Sequence, residues 1–404
     1  MTVGILTQYY PPEMGAPQAR LSALATQLAR RGHRVVVLTA LPNYPLGRFY
    51  PGYRALWRCE GDGDFRIFRT WLYPTQSFRP AKRLASYFSF VVSAALAGAA
   101  VMPRLDWLIT ESPPLFLGIT GYWLSRLKKA RWVFNVSDLW PKSAVELGAV
   151  GEGLWLRMAE QLEAFCYRKA RVVTGQSGEI VADIARRFPG VTIWKWPNGV
   201  DTEHFAPGRR SESLVRELRK GARCVALYAG LHGMAQGLGQ VLEAAGRLGD
   251  REDLRIVLVG DGPEKPRLIE QARQMGLRNV AFLDAVPRDR APEVIASADI
   301  ALAPLRRRLW GAVPSKIYEG MASGVPVVLC GEGEAAQIIE TAGAGLVVPP
   351  GDSGALAEAL RVLADDPALR ERLGRAGRKA AVELFDRQKI NDHLISRLEQ
   401  LPAC

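Results

Sequence analysis

Cysteine and histidine are scarce in this chain of 404 residues, with five of one and four of the other. Cys59, Cys166, Cys224, Cys330 and Cys404 are odd in number and far apart, and no CxxC pair or His/Cys cluster offers metal-ligand spacing. That excludes a disulfide framework and a zinc finger, and reduced thiols in a cytosolic protein are expected. No secretory leader is expected either, because the first residues run directly into an apolar strand, VGILT.

Acidic residues are few near the start. Residues 1–105 carry 13 Lys or Arg against Glu13, Glu60, Asp62 and Asp64, within an overall net charge of +12. A basic face of this kind suits nucleic acid, an anionic membrane or a phosphorylated substrate. No nucleic-acid-binding motif accompanies it, so no nucleic-acid partner is expected. Contact with an anionic membrane or a pyrophosphate lipid is the expected use. Long apolar runs are also rare. The one candidate, Leu84–Pro103 (LASYFSFVVSAALAGAAVMP), is uncharged and flanked by Arg79, Lys82, Arg83 and Arg104. It reaches the roughly 20 residues that span a bilayer. Ala, Ser and Gly dominate it, however, so a buried or membrane-surface helix is expected rather than a spanning one.

What the chain does have is rhythm. Short apolar runs fall near residues 3–7, 34–40, 66–72, 106–110, 132–137 and 171–174, separated by helical stretches such as Ala16–Arg31 and Gly153–Lys169. After about residue 205 the pattern restarts with CVALYAG, RIVLVGDG, VAFLDAV, IALAPL, VPVVLC and GLVVPP. Alternating strands and helices predict parallel sheets with right-handed crossovers. The expected fold is α/β, with two doubly wound Rossmann-like domains at residues 1–205 and 206–385 facing across a cleft. WPNGVDTEHFAPGRR (196–210) reads as the linker, and residues 386–404 read as a helical tail with no evident docking site.

The richest segment is WGAVPSKIYEGMASGVPVV, from Trp310 to Val328. Ser315 is a good N-cap residue, which leaves the first helical amides free for an anion. Lys316 adds positive charge there, and Glu319, one turn later, can accept hydrogen bonds from sugar hydroxyls. Phosphate at the helix start and a diol one turn on suit a nucleotide or nucleotide sugar. An ordinary capped helix with a surface Glu is the competing reading.

YYPPEMGAPQARLSALATQLARRGHRVVVLT, DLWPKSAVELG, PNGVDTEHF, VGDGPEKPRL and PSKIYEGMASGVPVV occur in that order. Together they resemble glycosyltransferase family 4, retaining enzymes of GT-B fold. They resemble most its bacterial O-antigen or capsule branch, described for example as N-acetyl-L-fucosamine transferases. The resemblance implies a donor site around Glu319 on the ribose, Val286 beside the base, and Gly230, Gly260 and Gly262 at strand ends. Gly15 and Ala16, after the first strand, would bring backbone amides to a pyrophosphate, or form a plain βα turn. A second family glutamate would fall at Gly311, and its absence implies a donor with a different hydroxyl pattern, such as an N-acetylated or deoxy sugar. The usual Arg and Lys beneath the diphosphate are replaced by GLHGMAQGLG, which leaves His232 as the histidine near the expected diphosphate. Lys316 is the candidate to offset the leaving group's charge, ahead of Arg306, Arg307 and Arg308. Asp138 follows Ser137, where many relatives carry His. It would orient or deprotonate the acceptor, or cap the next turn.

The reading is a retaining hexosyl- or N-acetylhexosaminyl-transferase that uses a UDP-sugar, with GDP- and ADP-sugars still open. The acceptor would be a glycan or a polyprenyl-diphosphate-linked saccharide, met by a peripheral protein at the cytoplasmic face of the plasma membrane. No metal cofactor is expected, since no DxD-type carboxylate pair stands in a suitable loop. A UDP-sugar 2-epimerase of the same fold would require clustered carboxylates and histidines. A non-catalytic two-lobed sugar-binding protein would require a secretory leader and several hinge crossings.

Overall fold

The computed structural model describes residues 1–401 apart from 62, 78, 147–152 and 309. Leu147 and Gly148 of the DLWPKSAVELG motif, and Cys404, lie outside the described residues. The chain forms two compact units, Met1–Asn198 with Gln388–Cys404, and Gly199–Arg387.

The first unit holds an eight-stranded sheet ordered β3-β4-β2-β1-β5-β6-β7-β8. In chain order these are β1 (Thr2–Leu6), β2 (Arg34–Ala40), β3 (Trp57–Glu60), β4 (Phe65–Thr70), β5 (Trp107–Ser112), β6 (Arg131–Val136), β7 (Val172–Gly175) and β8 (Ile193–Lys195). All neighbours are parallel except β3, which pairs antiparallel with β4 at the edge. Parallel strands carry helices on both faces, so they must be apolar throughout. In RVVVLTA, every residue from Val35 to Ala40 is buried.

The second unit holds six parallel strands: β9 (Cys224–Ala229), β10 (Leu254–Val259), β11 (Val280–Leu283), β12 (Ile300–Pro304), β13 (Val327–Cys330) and β14 (Gly345–Val348). Their order, β11-β10-β9-β12-β13-β14, reverses direction between β9 and β12. A crevice opens beyond the carboxyl ends of the strands at such a switch point. Within β9 the side chains alternate. Cys224, Ala226 and Tyr228 enter one core, while Val225 and Leu227 enter another.

The segment at 196–210 is packed rather than free. Trp196 is buried in the first unit, and Val200 is buried in the second, where it bridges Asp386. The chain passes to the second unit at Asn198–Gly199 and returns at Arg387–Gln388. The terminal helix Arg387–Gln400 then docks on the first unit, with Leu394, Ile395 and Leu398 packed among Trp107, Trp194 and Trp196. Each such side chain contributes about 1.5–3 kcal/mol when fully buried. His33, Gln27 and Arg31 pair with Glu399 and Asp392 on that helix.

Candidate functional site

The second unit gathers several of the predicted residues at the carboxyl end of β9. Gly230 follows the strand with φ +150°, a conformation that side chains resist. A Cβ at Gly230 would overlap the Lys316 ammonium and lie 2.7 Å from Lys316 Cε. The missing side chain is therefore the seat of Lys316. The ammonium also lies 5.1 Å from the centroid of the Tyr228 ring, a cation–π arrangement.

Gly260 and Gly262 extend the same notch. A Cβ on Gly260 would overlap the Gly230 carbonyl oxygen, and one on Gly262 would sit 2.5 Å from the His232 carbonyl oxygen. His232 N–H donates to the Asp261 carbonyl at 2.8 Å, and Glu264 N–H donates to the His232 carbonyl at 2.9 Å. The loops after β9 and β10 are thus laced backbone to backbone. The imidazole of His232 is fully buried and neither ring nitrogen has a partner among the described residues. Burial lowers its pKa, and the Lys265 ammonium adds to that.

The helix carrying Lys316 runs Ser315–Ala322, and its start differs from expectation. Pro314 holds the N-cap position with an extended backbone, so Ser315 is the first helical residue and makes no side-chain cap. The amides of Ser315 and Lys316 still precede the first intrahelical bond. Lys316 and Glu319 are both half-buried. Neither charged group makes a hydrogen bond or ion pair among the described residues, although each feels the other's charge. Withdrawal from water lowers the Lys316 pKa, while the Glu319 carboxylate works in the opposite direction. An uncommitted ammonium and an uncommitted carboxylate one turn apart can hold an anion and a hydroxyl-bearing group together.

Gly311 lies in the turn ahead of this helix at φ +70°. Val286 sits in the loop after β11, half-buried against the buried cluster that includes Val257, Val259 and Val294. Gly15 is the N-cap of the helix Ala16–Arg30 with φ 165°, extended backbone open to any residue, so a glycine is not required there for conformation. Ala16 is the first helical residue rather than a loop residue, and Pro17 behind it has no N–H to offer.

Asp138 follows β6 in the first unit, and its carboxylate accepts from the Ser143 hydroxyl at 2.9 Å. Its neighbour Ser137 belongs to a buried polar cluster that the motifs did not flag. Arg20 donates to both oxygens of Glu111 at 2.8 Å, to Asn198 at 2.8 Å and to Ser137 at 2.8 Å. Asn135 joins through Glu111 at 2.8 Å. Two positioning residues in the second unit were also missed. The Lys265 ammonium ties the Gly260 and Leu283 carbonyls and Asp284 together at 2.8–3.1 Å. Arg378 donates to Ala322 O at 2.8 Å, anchoring the end of the Lys316 helix. Lys265 and Arg20 both stand inside recognisable motifs, VGDGPEKPRL and YYPPEMGAPQARLS, but their partners are distant in sequence. Among the described residues, no group of three or more His, Cys, Asp or Glu could hold a metal ion.

Two doubly wound units, one with a seated lysine beside a strand-end glycine, define a class. Residues 15–193 match the glycosyl transferase 4-like domain and residues 210–380 match the glycosyl transferases group 1. The chain belongs to these glycosyltransferases of GT-B fold. It is 30% identical over 370 residues to the putative colanic acid biosynthesis glycosyl transferase WcaI of Escherichia coli (strain K12), covering 87% of this chain and 89% of that one. Among solved structures, sucrose-phosphate synthase from Thermosynechococcus elongatus matches with a TM-score of 0.78 at 19% identity, over 99% of this chain and 98% of that one. Anabaena HepE in complex with UDP-glucose matches at 0.71 and 19% identity, over 99% and 100%.

Proposed function

We propose that this enzyme transfers a sugar from a UDP-sugar, with retention of configuration, to a lipid-linked or growing bacterial surface glycan. The observation that carries this is the Lys316 ammonium seated against Gly230 with no ion-paired carboxylate, and Glu319, likewise without an ion pair, one turn along the same helix. Charge grows on the departing diphosphate during transfer, and Lys316 with the Ser315 and Lys316 amides meets it. Glu319 accepts from the ribose hydroxyls. UDP-glucose in the HepE relative supports uridine as the base, and the name of WcaI supports a surface glycan as product.

Gly311 narrows the donor. A glutamate at that position would be held at φ +70°, where a side chain is strained. Without a carboxylate there, an N-acetylated or deoxy sugar is the proposed class. Asp138 is proposed to serve the acceptor hydroxyl. The proposed location is the cytoplasmic face of the inner membrane.

A thermal-shift screen with UDP, GDP, ADP and a panel of UDP-sugars in EDTA tests the reading. Stabilisation confined to uridine nucleotides, largest for one sugar, supports it. No shift with any nucleotide would sink it, and a shift appearing only with added divalent metal would overturn the metal-independent part.

A further inference from the structure

We propose that three helices of the first unit form one apolar face that seats on an anionic lipid bilayer. This deepens the lipid-linked acceptor reading and rests on it for the choice of partner. The helix Pro80–Val101 is the centre of the face. Its inner side, including Phe90, Val91 and Ala94, is buried in the unit's core, and a Cβ on Gly98 would press on Leu124 and Leu38. A helix docked this way lies along the unit and does not cross a membrane alone. Its outer side should then be polar, as on any water-facing helix. It is not. Between residues 85 and 100 every exposed residue is apolar: Ala85, Phe88, Val92, Leu96 and Ala100.

The neighbouring helix Leu117–Leu127 packs beside it and repeats the pattern with Ile119, Trp123 and Leu127, one turn apart. The next, Leu154–Lys169, adds Leu154 and Trp155, the latter 74% exposed. Isolated apolar residues on a surface are ordinary, but a contiguous face shared by three packed helices is not. Tryptophan is the residue that bilayer interfaces favour, with its ring in the acyl boundary and its N–H among headgroups.

Charge selects the bilayer over a second protein copy. Arg79, Lys82 and Arg83 lead into the central helix and Arg104 follows it, while Arg126 and Lys129 end the second helix. From residue 79 to 129 the only acids are Asp106 and Glu111, and Glu111 is spent on Arg20. An apolar face whose first two helices are edged by one sign of charge suits an anionic lipid surface, and the third helix adds both Arg157 and an exposed Glu160. Two copies face to face would instead oppose like charges.

The test is co-sedimentation with vesicles of phosphatidylglycerol and phosphatidylethanolamine, and with pure phosphatidylcholine. The proteins are wild type, Val92→Glu/Leu96→Glu and, as a surface control, Glu358→Gln. Wild type and control should pellet with the anionic vesicles, and the double variant should partition at least about tenfold less. Its melting temperature and UDP affinity should match wild type, because both positions already face outward. Unchanged partitioning of the double variant overturns the proposal. So does a wild-type dimer that ignores vesicles and becomes monomeric in the double variant. Vesicle binding intact in a protein that binds no UDP would fail the donor reading alone.

Discussion

Gly230→Ala tests the seat of Lys316 directly. The new Cβ would overlap the ammonium, lie 2.7 Å from Lys316 Cε and 3.4 Å from the Tyr228 hydroxyl. Two effects then separate. Holding alanine at φ +150° costs about 1–3 kcal/mol of backbone strain. In a unit of this size that lowers Tm by roughly 2–4 °C per kcal/mol. The lysine, being flexible, swings out of the notch and withdraws a charge-assisted hydrogen bond from the donor diphosphate. Such a bond is worth about 1.5–3 kcal/mol, so the Kd for UDP should rise by roughly 10- to 150-fold. Calorimetric titration of wild type, Gly230→Ala, Lys316→Met and the double variant distinguishes this from general damage. If the glycine acts by seating the lysine, the double variant binds UDP no more weakly than Lys316→Met. Full additivity, or a folded Gly230→Ala that binds UDP within about twofold of wild type, would refute the reasoning.

Glu319→Ala should weaken UDP about tenfold or more with little change in Tm, since the carboxylate has no protein partner to lose; calorimetry within about twofold of wild type removes the ribose assignment. Arg20→Met should strand the buried Glu111 carboxylate and cost the first unit about 3–5 kcal/mol, read as a lower urea midpoint. Burial pushes the Glu13 carboxyl up to about 7, against the backbone N–H groups of Asn43, Tyr44 and Tyr10 that favour its charged form. The native unit therefore keeps a proton that the unfolded chain releases near the ordinary glutamate pKa. Stability should fall by up to about 3 kcal/mol as pH rises from about 4.5 to 7 and level off above, and Glu13→Gln should flatten that slope in urea titrations.

The doubly wound pattern was legible because strands buried on both faces read as unbroken apolar runs. CVALYAG and VPVVLC are such runs. β3 and β8 escaped for the opposite reason. WRCE is an exposed edge and IWK is three residues long, so neither carries a period. Lys316 and Glu319 stood out as charges in a recognisable motif, yet nothing local shows that the ammonium rests in the gap left by Gly230. That contact joins the switch-point strand to a helix three strands later in the chain, and only the folded sheet brings them together. The cap at Ser315 failed by one residue, because the extended Pro314 already occupies that position. Arg20, Glu111 and Ser137 were unreadable as a group, since each comes from a different strand–helix unit.

The two chain crossings bear on how the enzyme can be cut and recombined. Val200 and Asp386 bridge as neighbours at the base of the second unit, and Arg387 N–H returns to the Val200 carbonyl at 2.8 Å. The second unit is therefore an insert whose entry and exit segments meet at one point. It can be lifted out and replaced by a relative's through two adjacent splice junctions. A fragment ending at Asn198 would leave Trp194 and Trp196 bare, because their cover arrives with the last residues of the chain. Exchanging that unit is an operation on the middle of the gene, and the final helix must travel with the beginning.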